Sequence, residues 1–190
     1  MYNEHLTTVA QFPNVLSGDE CRRLIQLPLP KTEAAVDVRE SARPDKTDSR
    51  VDYEYRRTKI KPIPPDPEHA WIFHRLGNLV KQVNQHAFHF QLNDLMSIDV
   101  LEYDPDGYFD WHLDIGSGIF STRKLSLVTF LTPPDEYEGG DLCFMDRGAP
   151  LKLSQGTTAI FPSYLLHKVE PVTRGTRYTL VSWAHGPSFT

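Results

Sequence analysis

The spacing of hydrophobic and polar positions changes near Ser97. From there onward, short runs rich in β-branched and aromatic residues alternate with turn sequences such as DPDG, GSG and TRG. Runs of this length and composition are typical of strands, and none shows the periodicity of an amphipathic helix. The runs are IDVLEYD, YFDWHLD, KLSLVTFLT, DLCFMD, TTAIFP, LLHKVEPV and RYTLVSWAH. Several short strands separated by turns predict a sandwich or barrel of the jelly-roll type.

The N-terminal half shows two helical patterns. Ser17, with a glutamate three residues later, forms a capping-box pattern that predicts the first helix. The second helix is predicted to have Asp66 as its N-cap and Pro67 as its first residue, and to end within residues 84–88. The charged segment 31–65 lacks sustained periodicity and predicts a loop with one or two short strands. Apolar residues recur at helical spacing in the second pattern, at Ile72, Leu76, Leu79, Val80 and Val83.

These patterns predict a fold that is mainly β with N-terminal helices, built on a double-stranded β-helix core of the jelly-roll, cupin-like kind. No Gly/Ser-rich linker divides the chain. We therefore predict one domain over 1–190, with a helical and loop portion over 1–96 and the jelly-roll core over 97–185.

Composition narrows the possible partners. The 190 residues carry a formal net charge of −5, which disfavours binding along a phosphate backbone, so no nucleic-acid partner is expected. No apolar run approaches the roughly 20 residues that span a bilayer, so no membrane partner is expected. The N-terminal sequence lacks the features of a secretory signal, and the two cysteines suggest no disulfide framework. A cytoplasmic protein is the resulting expectation.

The candidate chemistry begins in YFDWHLDIG, where His112 and Asp114 are two positions apart. Residues i and i+2 of a strand point to the same face, so an imidazole and a carboxylate project together. Two histidines and one carboxylate on one face form the facial triad of non-heme iron(II) oxygenases. His167, after an apolar run, is the best candidate for the third ligand, and His185 is a weaker one. On the opposite face, Trp111 and Leu113 are expected to pack in the barrel.

Ten residues after His167, Arg177 lies in an otherwise apolar predicted strand. A buried guanidinium needs an anionic partner, and its fork geometry suits a carboxylate. A structural salt bridge with an acidic side chain is the alternative interpretation.

With these residues in place, the C-terminal half resembles the iron(II)/2-oxoglutarate-dependent dioxygenases, in the prolyl 4-hydroxylase-like and PKHD-type branch. The resemblance covers roughly residues 98–183 and rests on YDPDGYFDWHLD, RKLSLVTFLTPPDEYEGGDLCF and HKVEPVTRGTRYTLVSW. It implies that His112, Asp114 and His167 bind iron. It also implies that Arg177 holds the distal carboxylate of 2-oxoglutarate. Further residues are implied to line the cosubstrate pocket, namely Tyr103, Leu142, Val169 and Trp183.

The resemblance implies Fe(II), 2-oxoglutarate and O2 as cofactor and cosubstrates, with ascorbate as a candidate reductant. Its chemistry releases succinate and CO2 while a prolyl residue, a free amino acid or a related small molecule is hydroxylated. The expected partner is accordingly a small-molecule or peptidyl substrate. Two alternatives remain open: a nucleic-acid demethylating dioxygenase with the same iron site, and a non-catalytic cupin-like binding module.

The sequence departs from the family pattern at two positions. Phe109 and Phe130 stand where relatives carry tyrosine, and the second removes a donor to the distal carboxylate. Ser126 or Thr179 is expected to replace that donor.

Two charged stretches, Arg39–Lys61 and Asp114–Lys124, are candidate loops over the site. Within them, Arg56, Arg57 and Arg123 are candidates to meet an acidic group on the substrate.

Overall fold

Two α-helices and two facing β-sheets form the main elements of the chain in a computed structural model. The structure describes residues 3–34, 36–40, 43–93, 95–145 and 148–188. Helix α1 spans Gly18–Ile25 and helix α2 spans Ala70–Val83, and a π-helical turn over Asn84–Phe88 follows α2. No helix in these described ranges is long and apolar enough to cross a membrane.

The strands, in chain order, are β1 (Ala10–Phe12), β2 (Thr32–Glu33), β3 (Val36–Glu40), β4 (Arg43–Arg50), β5 (Arg56–Arg57), β6 (Lys59–Pro62), β7 (Leu95–Tyr103), β8 (Tyr108–His112), β9 (Arg123–Phe130), β10 (Glu138–Gly139), β11 (Leu142–Phe144), β12 (Thr158–Pro162), β13 (His167–Val169), β14 (Val172–Arg174) and β15 (Arg177–His185). A short 3₁₀ helix, Gly118–Thr122, precedes β9.

The larger sheet has the order β1-β12-β9-β15-β7-β6-β2, and the smaller one has the order β11-β13-β8-β5. Neighbouring strands in both sheets run antiparallel. Side chains of both sheets form one buried cluster, which shows that the sheets face each other. This arrangement confirms the predicted mainly β, jelly-roll fold class.

The helices cover the outer face of the larger sheet. Leu24 of α1 and Ile72 and Leu76 of α2 share a second buried cluster with sheet residues such as Val100 and Leu180. Strand alternation separates the two layers, because successive side chains point to opposite faces. The molecule is therefore ordered as helices, larger sheet and smaller sheet.

The capping box that predicted α1 is confirmed: the Ser17 hydroxyl accepts from the Glu20 backbone N–H, and the Glu20 carboxylate accepts from the Ser17 N–H. The predicted start of α2 is wrong. Helix α2 begins at Ala70, because Asp66 accepts from the backbone N–H and ring of His69 and so holds a turn before the helix.

Segment 31–65 contains more strands than predicted. Strands β5 and β6 pair with β8 and β7 of the core, so this part of the chain completes both sheets. Strands β3 and β4 form a separate hairpin. The predicted covering loop Arg39–Lys61 includes residues 41–42, which lie outside the described residues. The predicted division near residue 97 is therefore not a structural boundary, since strands before it pair with strands after it. The single domain over 1–190 remains a prediction.

Candidate metal centre and cosubstrate pocket

The smaller sheet brings His112, Asp114 and His167 together. His112 ends β8 and His167 begins β13, and the antiparallel register sets the two directly opposite each other. Asp114 follows His112 by two residues, and its backbone N–H donates to the carbonyl of Ser163 at 3.0 Å. One ligand atom from each of the three residues lies within 4.8 Å of the other two. Strand register thus assembles a three-residue metal site from positions 55 residues apart in sequence.

Backbone carbonyls orient both imidazoles. The His112 Nδ1 lies 2.7 Å from the carbonyl oxygen of Asp110, and the His167 Nδ1 lies 2.8 Å from that of Leu165. A carbonyl only accepts, so each Nδ1 carries the proton and each Nε2 keeps its lone pair. The two Nε2 atoms lie 3.8 and 3.7 Å from the carboxylate oxygens of Asp114. Both rings therefore present the nitrogen that a metal would use.

Ser126 supports the carboxylate of Asp114. Its hydroxyl donates to Asp114 Oδ2 at 2.5 Å, and the Ser163 hydroxyl lies 2.9 Å from the Ser126 oxygen. A hydrogen-bonded carboxylate is fixed in orientation, as is usual for metal ligands. This contact engages Ser126 with Asp114, so its expected role as a donor to the distal carboxylate of 2-oxoglutarate loses its support.

Burial and charge shift the pKa values of His112 and Asp114. Burial lowers the pKa of His112, and the adjacent His167 lowers it further. Burial alone would raise the pKa of Asp114, but His167, His112 and Arg123 outweigh it and hold that pKa below its ordinary value. A neutral imidazole and an ionised carboxylate are the forms that bind a metal.

Aromatic rings surround the histidines. Phe109 stacks on His112 with ring centroids 3.5 Å apart, and Phe161 lies edge-on to His167 at 4.9 Å. Leu113, in contrast, is 45% exposed, and Trp111 is half-buried at the rim of the cavity beside the site. The expectation that Trp111 and Leu113 pack in the barrel is therefore wrong. Strand alternation turns Trp111 away from the face that carries His112, and Leu113 lies beyond the end of β8.

A cavity of about 640 Å³ opens between the two sheets at this site. Its walls include every residue to which the family resemblance gave a role in iron or cosubstrate binding. These residues are Tyr103, His112, Asp114, Leu142, His167, Val169, Arg177 and Trp183. His185 is not among its lining residues, since its Nδ1 lies 2.7 Å from the Thr122 hydroxyl instead.

Arg177 closes one end of the cavity. Its side chain is 1% exposed, with its guanidinium carbon 5.0 and 5.3 Å from the ring centroids of Tyr103 and Phe130. None of its three side-chain nitrogens makes a hydrogen bond to a described residue. The salt-bridge interpretation of Arg177 therefore finds no partner in the described part of the chain. A buried guanidinium of this kind matches a carboxylate ligand.

The turn before β11 fits closely around Arg177. Gly140 has φ +66°, and a Cβ on it would lie 2.7 Å from the Arg177 Cδ. Tyr137 is buried beside the guanidinium, where burial raises the pKa of its hydroxyl and Arg177 acts in the opposite direction. The hydroxyl of Thr179 makes no hydrogen bond among the described residues. The glycine at position 140 is thus explained by space, since a residue with a Cβ would not let the backbone approach this side chain so closely.

The comparison with protein families gives one match, over residues 98–185, to the 2OG-Fe(II) oxygenase superfamily. This matched stretch, the oxygenase segment, contains the three candidate metal ligands and Arg177, and it supplies most of the residues that line the cavity.

Curated relatives of the oxygenase segment carry the name PKHD-type hydroxylase. The protein from Delftia acidovorans is 37% identical over 91 residues, which are 44% of this chain and 40% of the relative. The protein from Crocosphaera subtropica is 35% identical over 94 residues, which are 47% and 42% of the two chains. The chain thus spans about two fifths of the length of the curated relatives it matches.

Solved structures resemble almost the whole chain. A prolyl-4-hydroxylase from Pseudomonas putida has a TM-score of 0.67 and 21% identity, with 96% of this chain and 94% of that chain covered. The viral collagen prolyl hydroxylase of Paramecium Bursaria Chlorella virus-1, in complex with 2OG, has a TM-score of 0.69 and 18% identity, with 94% and 96% covered. Likeness at this identity shows the fold, and it confirms the jelly-roll core.

Sequence reasoning missed some residues of the site. Tyr137, Ser163 and Asp99 lie at or beside the cavity, and none was predicted to do so. Asp99 could have been found, because it stands two and four residues before Leu101 and Tyr103 on the same face of β7. Of the three candidate substrate arginines, Arg56 and Arg123 line the cavity, whereas Arg57 is exposed and lies 3.8 Å from Asp106.

Proposed function

We propose that this chain is a 2-oxoglutarate-dependent hydroxylase that uses one Fe(II) ion. The family of residues 98–185 supports the reaction class, and the names of the curated relatives support hydroxylation. The substrate is proposed to be a small molecule or a peptidyl residue, with a prolyl residue or a free amino acid as the first candidates. Ascorbate as a reductant and a cytoplasmic location remain predictions.

The residues of the site fit the metal. His112 and His167 would supply neutral Nε2 donors and Asp114 would supply an anionic oxygen, the donor set that suits non-heme iron(II). The peptide carbonyls behind the two rings and the Ser126 hydroxyl would keep these donors in place.

The residues also fit the cosubstrate. Arg177 would bind the distal carboxylate of 2-oxoglutarate, with Tyr103 packed against the guanidinium. Leu142, Val169 and Trp183 would form the walls along the cosubstrate. Thr179 and Tyr137 are the proposed further donors. The Thr179 hydroxyl is buried and bonds to no described residue, and the buried Tyr137 hydroxyl lies beside the Arg177 guanidinium.

When bound, the iron and 2-oxoglutarate supply an oxidative decarboxylation in which one atom of O2 enters succinate and the other enters the substrate C–H bond, with release of CO2. The protein's own part is positional. The two histidines and Asp114 would hold the metal at the wall of the cavity, and the rings of Phe109 and Phe161 keep the two imidazoles in place by packing against them.

The observation that carries the proposal is the unpaired Arg177 guanidinium in the same cavity as the three ligand atoms. A non-catalytic cupin-like module would have no need for a carboxylate binder at that place. The nucleic-acid alternative is not favoured by the charge balance of the chain.

Succinate formation from 2-oxoglutarate, Fe(II) and O2 tests the proposal, with amino acids, proline-containing peptides and short oligonucleotides as candidate substrates. We expect succinate release that rises with one substrate class and is lost in His112→Ala. A protein that binds Fe(II) with unchanged affinity after His112→Ala, or that never forms succinate, would contradict the proposal. The exchange Arg57→Gln, on the exposed face next to Arg56, is the control for a loss of positive charge.

A further inference from the structure

The end of the cavity away from Arg177 carries its own set of charged groups. Strands β7 and β15 form the floor, in an antiparallel register that sets Tyr103 opposite Arg177 and Asp99 opposite Val181. Side chains at every second position of both strands line the cavity. Four residues along a strand place Asp99 about 13 Å from the Arg177 end. A carboxylate thus lies at the opposite end from the proposed cosubstrate guanidinium.

Asp99 is a buried acid in the wall of the cavity. It is 8% exposed and lines the cavity, and Arg123 and Arg56 are charged neighbours. Burial raises its pKa, while Arg123 and Arg56 act in the opposite direction. A buried carboxylate is costly unless opposite charges offset the loss of water. Its position in the cavity wall also suits a cationic group that enters the cavity.

Arg56 faces the same space from the smaller sheet. Its guanidinium carbon lies 4.3 Å from the ring centroid of Phe109, which in turn stacks on His112. The Arg56 Nε is enclosed and makes no hydrogen bond to a described residue. Stacking fixes the plane of the guanidinium, which leaves its edge to meet a planar anion.

Arg123 completes the set from the larger sheet. Its guanidinium carbon lies 3.8 Å from the ring centroid of Trp183 and 4.5 Å from that of Phe120. Its Nη1 donates to the backbone carbonyl of Asp114 at 3.2 Å, which ties it to the candidate metal site. Two guanidinium groups thus line the cavity beside the carboxylates of Asp99 and Asp114, and they supply the positive charge that an anionic group on the incoming molecule would meet.

We propose that Arg56, Arg123 and Asp99 bind the zwitterionic head of a free α-amino acid as the substrate. The two arginines would take its carboxylate, and Asp99 would take its ammonium group. The side chain of the amino acid would then extend over Phe109 toward the face formed by His112, Asp114 and His167. A prolyl residue inside a peptide has neither charge and would leave all three groups unsatisfied. This inference rests on the proposed hydroxylase function and selects among its substrate classes.

A binding assay that needs no turnover tests this assignment. Trp111 and Trp183 line the cavity, so ligand binding should change tryptophan fluorescence. The protein is loaded with Mn(II) in place of Fe(II) and with 2-oxoglutarate, and the proteinogenic L-amino acids are titrated in turn. For each amino acid that binds, the methyl ester removes the carboxylate, and the N-acetyl derivative removes the ammonium group. An N-acetylated, C-amidated tripeptide with central proline represents the peptidyl substrate.

We expect at least one free amino acid to bind, and both blocked derivatives to bind at least about tenfold more weakly, since each leaves a buried charge unpaired. Arg56→Gln should lower the affinity for the free amino acid and for its N-acetyl derivative alike. Asp99→Asn should lower the affinity for the free amino acid and leave the affinity for the N-acetyl derivative unchanged. Arg57→Gln and Asp106→Asn, two exposed neighbours of the cavity, are the matched controls and should leave all affinities unchanged.

Two results would overturn the assignment: no proteinogenic amino acid binds, or the blocked derivatives and the tripeptide bind as tightly as the free acid. The wild-type affinities for Mn(II) and 2-oxoglutarate, measured without any amino acid, separate this failure from that of the hydroxylase proposal. Normal loading without amino-acid binding refutes the substrate class alone. Failure to bind metal or 2-oxoglutarate refutes the proposed function itself.

Discussion

Replacement of Arg177 by methionine should weaken 2-oxoglutarate binding and stabilise the ligand-free fold at the same time. The guanidinium is 1% exposed and has no hydrogen-bond partner among the described residues. Its neighbours in the fold are the rings of Tyr103 and Phe130 and the turn at Gly140. Methionine keeps an unbranched chain of similar length in that space and removes the buried charge.

The two effects can be given magnitudes. An unpaired buried charge costs several kcal/mol, and two cation–π contacts return about 0.5–2 kcal/mol each, so R177M should gain about 1–3 kcal/mol in the free energy of unfolding. For a chain of this length, each kcal/mol corresponds to a rise of about 2–4 °C in Tm. Loss of a buried charged hydrogen-bond partner should weaken the binding of 2-oxoglutarate by about 2–5 kcal/mol, which raises its Kd by between about 30-fold and a few thousand-fold.

Thermal unfolding of the metal-free protein, followed by circular dichroism, measures the first effect. Calorimetric titration of 2-oxoglutarate into the Mn(II)-loaded protein measures the second. Arg174→Met is the control, because Arg174 is an exposed arginine paired with Glu138, and its Tm should change by little. A lower Tm for R177M than for the wild type would refute the reasoning on stability. An unchanged Kd would refute the assignment of the guanidinium to 2-oxoglutarate.

Three further exchanges test other contacts of the site and the fold. Ser126→Ala removes the hydrogen bond to Asp114 and should lower Mn(II) affinity by about 10- to 100-fold in calorimetry, while Ser182→Ala serves as the control on β15. Gly140→Ala places a Cβ 2.7 Å from the Arg177 Cδ and should weaken the binding of 2-oxoglutarate while the affinity for Mn(II) stays unchanged. Ser17→Ala removes the N-cap of α1 and should lower the free energy of unfolding by about 1 kcal/mol in urea, with 2-oxoglutarate affinity unaffected.

Local patterns predicted the elements well where one physical cause dominates. The capping box at Ser17 acts within one turn, so α1 is confirmed at its predicted start. Asp66 looked like an equivalent cap, but its carboxylate also binds the ring of His69 and holds a turn before α2. Only one or two short strands were predicted in segment 31–65 and they were not placed, because partners such as β8 and β7, which pair with β5 and β6, lie far away in sequence.

The site was predictable where family motifs carry the ligands and unpredictable where tertiary contacts decide. The sequence indicated the three ligands and Arg177, and the structure brings them to one cavity. The partner of Ser126 could not be read from the sequence, because it depends on how β9 faces the segment after β8. The position of Leu113 was predicted wrongly. Strand alternation predicted that its side chain is buried, but β8 ends one residue earlier and the side chain is exposed.

The register between β7 and β15 explains how one cavity can hold Arg177 and Asp99 at two separate positions along its wall. Arg177 and Tyr103 are directly opposite at one end of the pair, and Asp99 lies four residues further along β7. A slip of one residue would turn these side chains toward the helices and bring Val100 and Leu180 into the cavity. That slip is resisted because Val100 and Leu180 are buried in the cluster beneath α1 and α2. The helices thus act on the site at a distance, by fixing which face of the strand pair the charged residues occupy.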